Sequence, residues 1–328
     1  MKEPLTSASL IRAGLLGHAV GDALGVPVEF QSRAARRLDP VVGMRGYGTH
    51  GQPAGTWSDD ASLTFCLAET LASGGDEADA AQRFGRWYDE AYWTPHGSVF
   101  DVGIATAEAL RRLKTGVLPS AAGGTGEFDN GNGSLMRILP LAFSVQGLPV
   151  AERFAHIKAY SAITHAHIRS VLGCFIYVEM ACQLLGGADK LLAFQAMQDT
   201  AREFVVSSAA ISALELRNYH RILEIPYGEY VAQPLQSCAE ADIRSSGYVV
   251  HTLEAALWCL LRYDTYAATV LAAVNLGEDT DTTGAVAGGL AGLAYGEAAI
   301  PGDWLQQLAR RTDIEDLAAR LAHRLEQR

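Results

Sequence analysis

A row of glycines inside an apolar, helical segment narrows the possible folds of this chain more than any other pattern in it. Between residues 283 and 295, Gly284, Gly288 and Gly292 recur at every fourth position. They therefore share one helix face and leave it without side chains. Each glycine costs a helix about 1 kcal/mol relative to alanine. Three in line are sustained where another backbone packs directly against the bare face, so this helix is expected to be central and buried. Composition agrees with tight helix packing. Hydrophobic residues make up 49% and charged residues 19%, alanine is plentiful, and β-branched runs are short, which favours helices over sheets.

Apolar periodicity predicts further helices over 7–24, from Asp59 to Leu71, and over 77–93, 99–114, 151–163, 166–186, 249–261 and 266–274. The first has Ser7 or Ser9 as a cap and a stripe of Ile11, Leu15, Ala19 and Ala23. The second stops at Ser73-Gly-Gly. A helical pattern also resumes at Leu135. The last helix opens on Thr312-Asp-Ile-Glu315, a capping-box pattern. Residues 190–246, with Pro226 and Pro234, resist assignment and read as a variable insertion or connection. With no internal repeat, linker or break in composition, residues 1–328 are read as one domain.

A net charge of −11 and the absence of a Lys/Arg block argue against a direct grip on nucleic acid. An acidic chain that binds a phosphorylated ligand needs local help from helix N-termini, glycine-rich backbone or metal ions. Five cysteines without a CxxC pair read as small buried hydrophobes in a reducing compartment, so a cytoplasmic location is expected. The apolar stretch Ile11–Val28 is interrupted by His18 and Asp22 and is expected to be neither a signal peptide nor a membrane span.

Acid density is concentrated in two places: Gly55-Thr-Trp-Ser-Asp-Asp60, at a helix start, and Gly277-Glu-Asp-Thr-Asp-Thr282, opening the glycine-striped helix. Glu29 is a third acid, in Gly25-Val-Pro-Val-Glu-Phe30. Each segment alone also reads as an ordinary helix cap with acids at the positive helix end. However, a cap needs one side-chain oxygen, and each segment offers two acids and a hydroxyl beside an apolar helix. If the two helix starts converge, four or five carboxylates share a small volume and require protons or cations. An oxygen-only donor set suits hard ions such as Mg²⁺ or Mn²⁺, and is large enough for two.

Asp129-Asn-Gly-Asn-Gly-Ser134 precedes Leu135-Met-Arg-Ile-Leu. It reads either as an anion nest, with Gly131 and Gly133 free to take positive φ before a helix N-terminus, or as a plain Asn-Gly turn. Thr164-His165-Ala-His167 opens the next long helix. Its two histidines do not share a helix face, so a two-histidine chelate is not expected, while His165 can cap or touch a ligand.

As an ordered set these segments resemble the ADP-ribosylglycohydrolase family. The matching pieces are Gly17-His-Ala-Val-Gly-Asp-Ala-Leu-Gly-Val-Pro-Val-Glu-Phe30, Trp57-Ser-Asp-Asp60, Asn130-Gly-Asn-Gly-Ser-Leu-Met-Arg137, Thr164-His-Ala-His167, Ser246-Gly-Tyr-Val-Val250 and Gly277-Glu-Asp-Thr-Asp-Thr282. The resemblance implies an all-α, single compact orthogonal bundle of many helices with a central metal-containing cleft. It implies Ser58, Asp59, Asp60, Asp279, Asp281 and Thr282 as ligands of two divalent ions, Mg²⁺ or Mn²⁺. Ser58 stands where many members carry Thr, and keeps the oxygen. Glu29, Asp60 and Asp101 (in Phe100-Asp-Val-Gly) are implied as catalytic acids, Asp60 doubling as a ligand. Asn132, Gly133 and Ser134 would line the diphosphate and ribose site, with His165 and Tyr248 touching ADP-ribose.

The expected activity is hydrolysis of the glycosidic bond between ADP-ribose and a modified acceptor, with arginine on protein placed first. Serine- or nucleic-acid-linked ADP-ribose is an alternative, as is a non-catalytic ADP-ribose-binding or toxin-immunity role on the same scaffold. An intact acid set argues against the non-catalytic role, and the short stretch before Leu10 leaves little room for a toxin-blocking arm. The expected partner is an ADP-ribosylated protein or small conjugate, with no membrane or nucleic acid, and a monomeric state.

Overall fold

The structure, a computed structural model, describes residues 7–208, 211–225 and 233–327. Among these residues all regular elements are helical, and extended pairing is confined to isolated bridges such as Gly131 with Tyr248. The all-α reading therefore holds. At the centre lie two helices in backbone contact, Ser7–Gly25 and Thr280–Tyr295. The first carries its own four-residue glycine row, Gly17, Gly21 and Gly25. A Cβ on Gly21 would stand 2.1 Å from the Gly284 carbonyl oxygen, and one on Gly288 would stand 2.3 Å from that of Gly17. The bare face thus meets a second bare face, close enough for Cα–H···O contacts.

The pair is wrapped by Asp59–Ser73, Ile168–Leu185, Val249–Arg262, Tyr266–Asn275 and Arg311–Glu326. Two buried tyrosines tie this shell to the pair. Tyr266 Oη donates to Gly17 O (2.7 Å) and Tyr177 Oη to Val286 O (3.2 Å). Gly74, at φ +73°, ends the Asp59–Ser73 helix as expected for an αL C-cap.

Several sequence expectations need correction. The 99–114 helix begins only at Ile104, leaving Asp101 in a non-helical stretch at φ +51°. The pattern at Leu135 yields a 3₁₀ turn, Leu135–Arg137, and a short helix restarting at Pro140. The capping box does not form. The final helix starts at Arg311, so Thr312 sits inside its first turn, and Arg310 in the αL region reaches Asp313 Oδ2 (2.7 Å) and Thr94 O (2.9 Å) instead. Ser7 and Ser9 both lie within the first helix, whose cap falls outside the described residues. The glycine-striped helix starts at Thr280 rather than at 283.

Segment 190–246 opens with a long helix, and only the elements after it are short. After Lys190–Ser207 come Ala213–Leu216, His220–Leu223 and 3₁₀ turns, too brief for periodicity to register. It packs into the common core. Tyr219, Ile222, Leu223 and Leu235 are fully buried, and Trp258 Nε1 donates to Cys238 O at 3.0 Å. Pro226 lies outside the described residues.

Candidate active site

The glycine contact determines where the acids meet. At the C-terminal end of the first helix, a Cβ on Gly25 would stand 2.3 Å from Asp281 Cα. The start of the glycine-striped helix is therefore pressed against the end of its partner. Asp22, one turn earlier, is buried and accepts from Ser58 N (2.8 Å) and Ala61 N (2.9 Å). It thereby caps the Asp59–Ser73 helix from another element, while Ser58 Oγ accepts from Asp60 N at 3.3 Å. With capping supplied by Asp22 and Ser58, Asp59 and Asp60 are not needed for it. Asp22 interrupts an apolar run in the sequence; nothing local said that its carboxylate would order a helix start 36 residues away.

The two acidic turns meet directly. Thr282 Oγ1 donates to Asp60 Oδ2 at 3.4 Å across 222 residues, and Ser58 Oγ donates to the same oxygen at 2.9 Å. Carboxylate oxygens of Glu29, Asp279 and Asp281 lie within 4.8 Å of one another, as do ligand atoms of Glu29, His50 and Asp101. Asp101 is thus part of the cluster. Glu29 is fastened to the second acidic turn by backbone: Phe30 N donates to Glu278 O and Glu278 N to Gln31 O, both at 2.7 Å. Phe30 and Glu278 take φ of +63° and +62°, strained values for such residues.

Electrostatics follow from this crowding. Burial, and then the negative charges of its neighbours, pushes each of Asp59, Asp60 and Asp281 well above the usual carboxylate range. Burial also raises Asp279, against the hydrogen bonds of Thr282 and Asn132. Asp22 and Glu29 are pushed up to about 7, mainly by burial. Asp60 Oδ1 and Asp281 Oδ2 are buried without a hydrogen-bond partner. Buried carboxylate oxygens left without donors, among several acids and two hydroxyls, fit divalent cations and would be unfavourable otherwise.

The Asn130–Ser134 loop forms the opposite wall. It pairs with Gly247–Tyr248 through Asn132 N to Gly247 O (3.0 Å) and Val249 N to Asn130 O (3.2 Å). Asn132 Nδ2 reaches both Thr252 Oγ1 (2.9 Å) and Asp279 Oδ2 (2.8 Å), linking this wall to the acids. Gly131 and Gly133 do not take positive φ. Gly133 is required instead for close approach, since a Cβ there would stand 2.6 Å from His165 Cε1. Nor does the loop feed a helix N-terminus; only a 3₁₀ turn follows. Its support is the fully buried Arg137, which donates to Gly133 O from below and stacks on Phe84 at 4.8 Å. His165 is buried beside Thr164 Oγ1 (2.8 Å), and burial followed by the nearby Arg137 charge lowers it to about 3, so the ring is neutral. His167 caps the Ile168–Leu185 helix, accepting from Arg169 N at 3.2 Å.

Between these walls lies a cavity of about 630 Å³, in the size range of small-ligand sites. Glu29, Asp59, Asp101, Asn132, Gly133, His165, Asp279 and Thr282 line it. Ser58, Asp60 and Asp281 do not line it but adjoin residues that do: Asp60 accepts from Thr282 and from Ser58, and a carboxylate oxygen of Asp281 lies within 4.8 Å of those of Glu29 and Asp279. Ser134 is placed differently: it is fully buried under the loop, accepts from Ser161 Oγ (2.9 Å) and contacts Cys174. Tyr248 contributes backbone to the loop pairing, while its ring contacts His251 and its hydroxyl donates to Asn218 (3.2 Å), facing a neighbouring cavity. Besides Asp22, sequence reasoning missed His50, which contacts Glu29 Oε2. It falls in a glycine-rich loop with no periodicity to mark it.

Against known proteins, this fold and cleft define a class: hydrolases that cleave glycosidic bonds to ADP-ribose. The chain belongs to the ADP-ribosylglycohydrolase family, whose model matches residues 3–328. It is 34% identical over 321 residues to the ADP-ribosylarginine hydrolase Tri1 of Pseudomonas putida (strain GB-1), covering 96% of this chain and 78% of that one. It is 31% identical over 307 residues to the ADP-ribosyl-[dinitrogen reductase] glycohydrolase of Rhodospirillum rubrum, covering 92% and 90%. A solved chain described as an ADP-ribosylglycohydrolase-related protein complex superposes with a TM-score of 0.78 at 33% identity, covering 97% and 99%.

Proposed function

We propose that the protein releases ADP-ribose from arginine on modified proteins, with two divalent ions, Mg²⁺ or Mn²⁺, in the cleft. One observation supports arginine over a neutral acceptor. Among the described residues, apart from the ligand acids Asp59 and Asp279 the cavity is lined by four further acids (Glu29, Asp101, Glu108 and Asp129) and by no Lys or Arg. A guanidinium is the acceptor group this field favours. The relatives named for ADP-ribosylarginine point the same way.

Ser58, Asp59, Asp60, Asp279, Asp281 and Thr282 would hold the ions. The chemistry such ions supply, when bound, is positive charge facing the ribose hydroxyls and the attacking water. Cleavage of the C1″ bond develops oxocarbenium character, which surrounding carboxylates stabilise. Glu29 and Asp101, which line the cavity beside these ligands, would exchange protons with water and leaving group. Asn132 and the Gly133 backbone would position ribose and diphosphate, with neutral His165 beneath. All five cysteines are buried and free, which supports action in the cytoplasm, and we take the protein to act as a monomer.

The test is a panel of arginine-, serine- and DNA-linked ADP-ribose, with and without Mg²⁺ and Mn²⁺. Release from the arginine conjugate that needs a divalent ion is expected. Release only from the serine or DNA conjugates would overturn the acceptor assignment, and full release in a chelator would overturn the ions.

A further inference from the structure

We propose that His50 is a positioning residue for the reaction: its imidazole fixes the Glu29 carboxylate in the cleft, an inference resting on the reading that Glu29 serves in the chemistry. The geometry carries it. His50 closes a 3₁₀ turn, Gly48–His50, between Tyr47 and Gly51, which both take left-handed φ. The turn is pressed onto the chain just ahead of Glu29: a Cβ on Gly48 would stand 1.9 Å from Pro27 O. Two successive turn residues then grip Glu29. Thr49 Oγ1 donates to its backbone oxygen at 2.8 Å, and His50 Nε2 contacts carboxylate Oε2.

The imidazole is itself confined. Its ring lies 6.0 Å from that of Phe30 and 5.3 Å from that of Phe100, and the two side chains of the pair are only 13% and 5% exposed. Phe30 follows Glu29 and Phe100 precedes Asp101, so one ring packs against both rim acids' neighbours. The backbone of the Glu29 segment is held separately, by Thr49 on one side and Glu278 on the other. Among the described residues, His50 is the side chain in hydrogen-bond contact with the carboxylate. Removing it leaves Glu29 in place but its carboxylate free to rotate. With Oε2 tied to His50, the other oxygen is the one left for substrate. Misplacing a reacting group by about 1 Å can cost on the order of 100-fold in rate.

The experiment measures kcat and KM on ADP-ribosyl-arginine with Mg²⁺ or Mn²⁺ for His50→Ala, His50→Gln, Glu29→Gln and the His50→Ala/Glu29→Gln double variant, with calorimetric titration of ADP-ribose into each. Gln carries an amide N–H at nearly the reach of Nε2. The expected result is a roughly 10- to 100-fold fall in kcat for His50→Ala, with KM and ADP-ribose affinity within about 2-fold. His50→Gln should recover most of that loss, and the double variant should be no slower than Glu29→Gln. The inference is overturned if His50→Gln is as slow as His50→Ala, if the two losses multiply, or if His50→Ala weakens ADP-ribose binding as much as it slows turnover. A fully active Glu29→Gln would remove the reading of Glu29 itself, whereas a slow Glu29→Gln beside a fully active His50→Ala would remove only the role of His50.

Discussion

Adding one methyl group to a helical glycine should have opposite effects at two positions of this protein. In an exposed helix Gly→Ala stabilises by about 0.8–1 kcal/mol, because alanine loses less backbone freedom. Gly85, in the helix Glu77–Glu90, meets that condition: nothing lies within 4 Å of a Cβ built there. Gly21 does not. Its Cβ would stand 2.1 Å from the Gly284 oxygen and 2.6 Å from the Gly284 carbonyl carbon, against ordinary non-bonded separations of about 3.5 Å. The atoms met are backbone, which cannot rotate aside, so the two central helices must part by roughly 1 Å. Overpacking of this kind costs about 1–3 kcal/mol, enough to outweigh the propensity gain. For 328 residues the unfolding entropy is about 0.7 kcal/mol per kelvin. Less the propensity gain, thermal melting should therefore fall by up to about 3 °C for Gly21→Ala, and it should rise by about 1 °C for Gly85→Ala. Function adds a second readout. Gly21 adjoins Asp22, and Gly284 follows Thr282 by two residues, so parting the helices spreads the acids and should lower kcat well beyond the stability loss. Equal melting shifts in the two variants, or a Gly21→Ala enzyme with normal turnover, would refute the close-contact argument.

Further expectations concern the acids. Burial raises Asp22 from 3.8 and Glu29 from 4.5 to about 7. The unfolded chain loses these protons first, so the stability they contribute is complete below about pH 4 and lost as pH rises through 7, on the order of 4 kcal/mol for Asp22. Metal-free protein should melt several degrees lower at pH 8 than at pH 5, and Mn²⁺ or Mg²⁺ at 100 times its Kd should return about 2.7 kcal/mol at pH 8; a flat pH profile without metal would contradict the crowding. Asp281→Asn keeps the oxygen that accepts from Thr282 N and removes one repelling charge. It should raise the metal-free melting temperature while cutting turnover by about 100-fold or more, and normal turnover would exclude Asp281 as a ligand. Asn132→Ala deletes the donor shared by Thr252 and Asp279 and should lower kcat/KM by about 10- to 100-fold, measured on ADP-ribosyl-arginine.

How much of this was legible beforehand depended on range. Helical periodicity, the Gly74 stop and the demand of Gly284, Gly288 and Gly292 for a bare partner are local or single-helix properties, and the chain states them directly. The acidic turns were legible as unusual because they offer more oxygens than a cap consumes. The capping-box pattern at Thr312 misled because Arg310 is held in the αL region by Thr94 O, 216 positions away, as well as by the nearby Asp313. Likewise Gly133 looked like a turn glycine, yet what excludes a side chain there is the His165 ring.

From the residues alone follow the helical class, the need of one central helix to touch another backbone, and the acids that carry more oxygens than local structure uses. Folding adds what no local pattern states: Gly17, Gly21 and Gly25 supply that backbone, Asp22 takes over the capping of Asp59–Ser73, and His50 reaches Glu29. Periodicity and capping act within a few residues, whereas carboxylates gather only where close packing brings distant helix ends together and burial removes the water that would screen their charges.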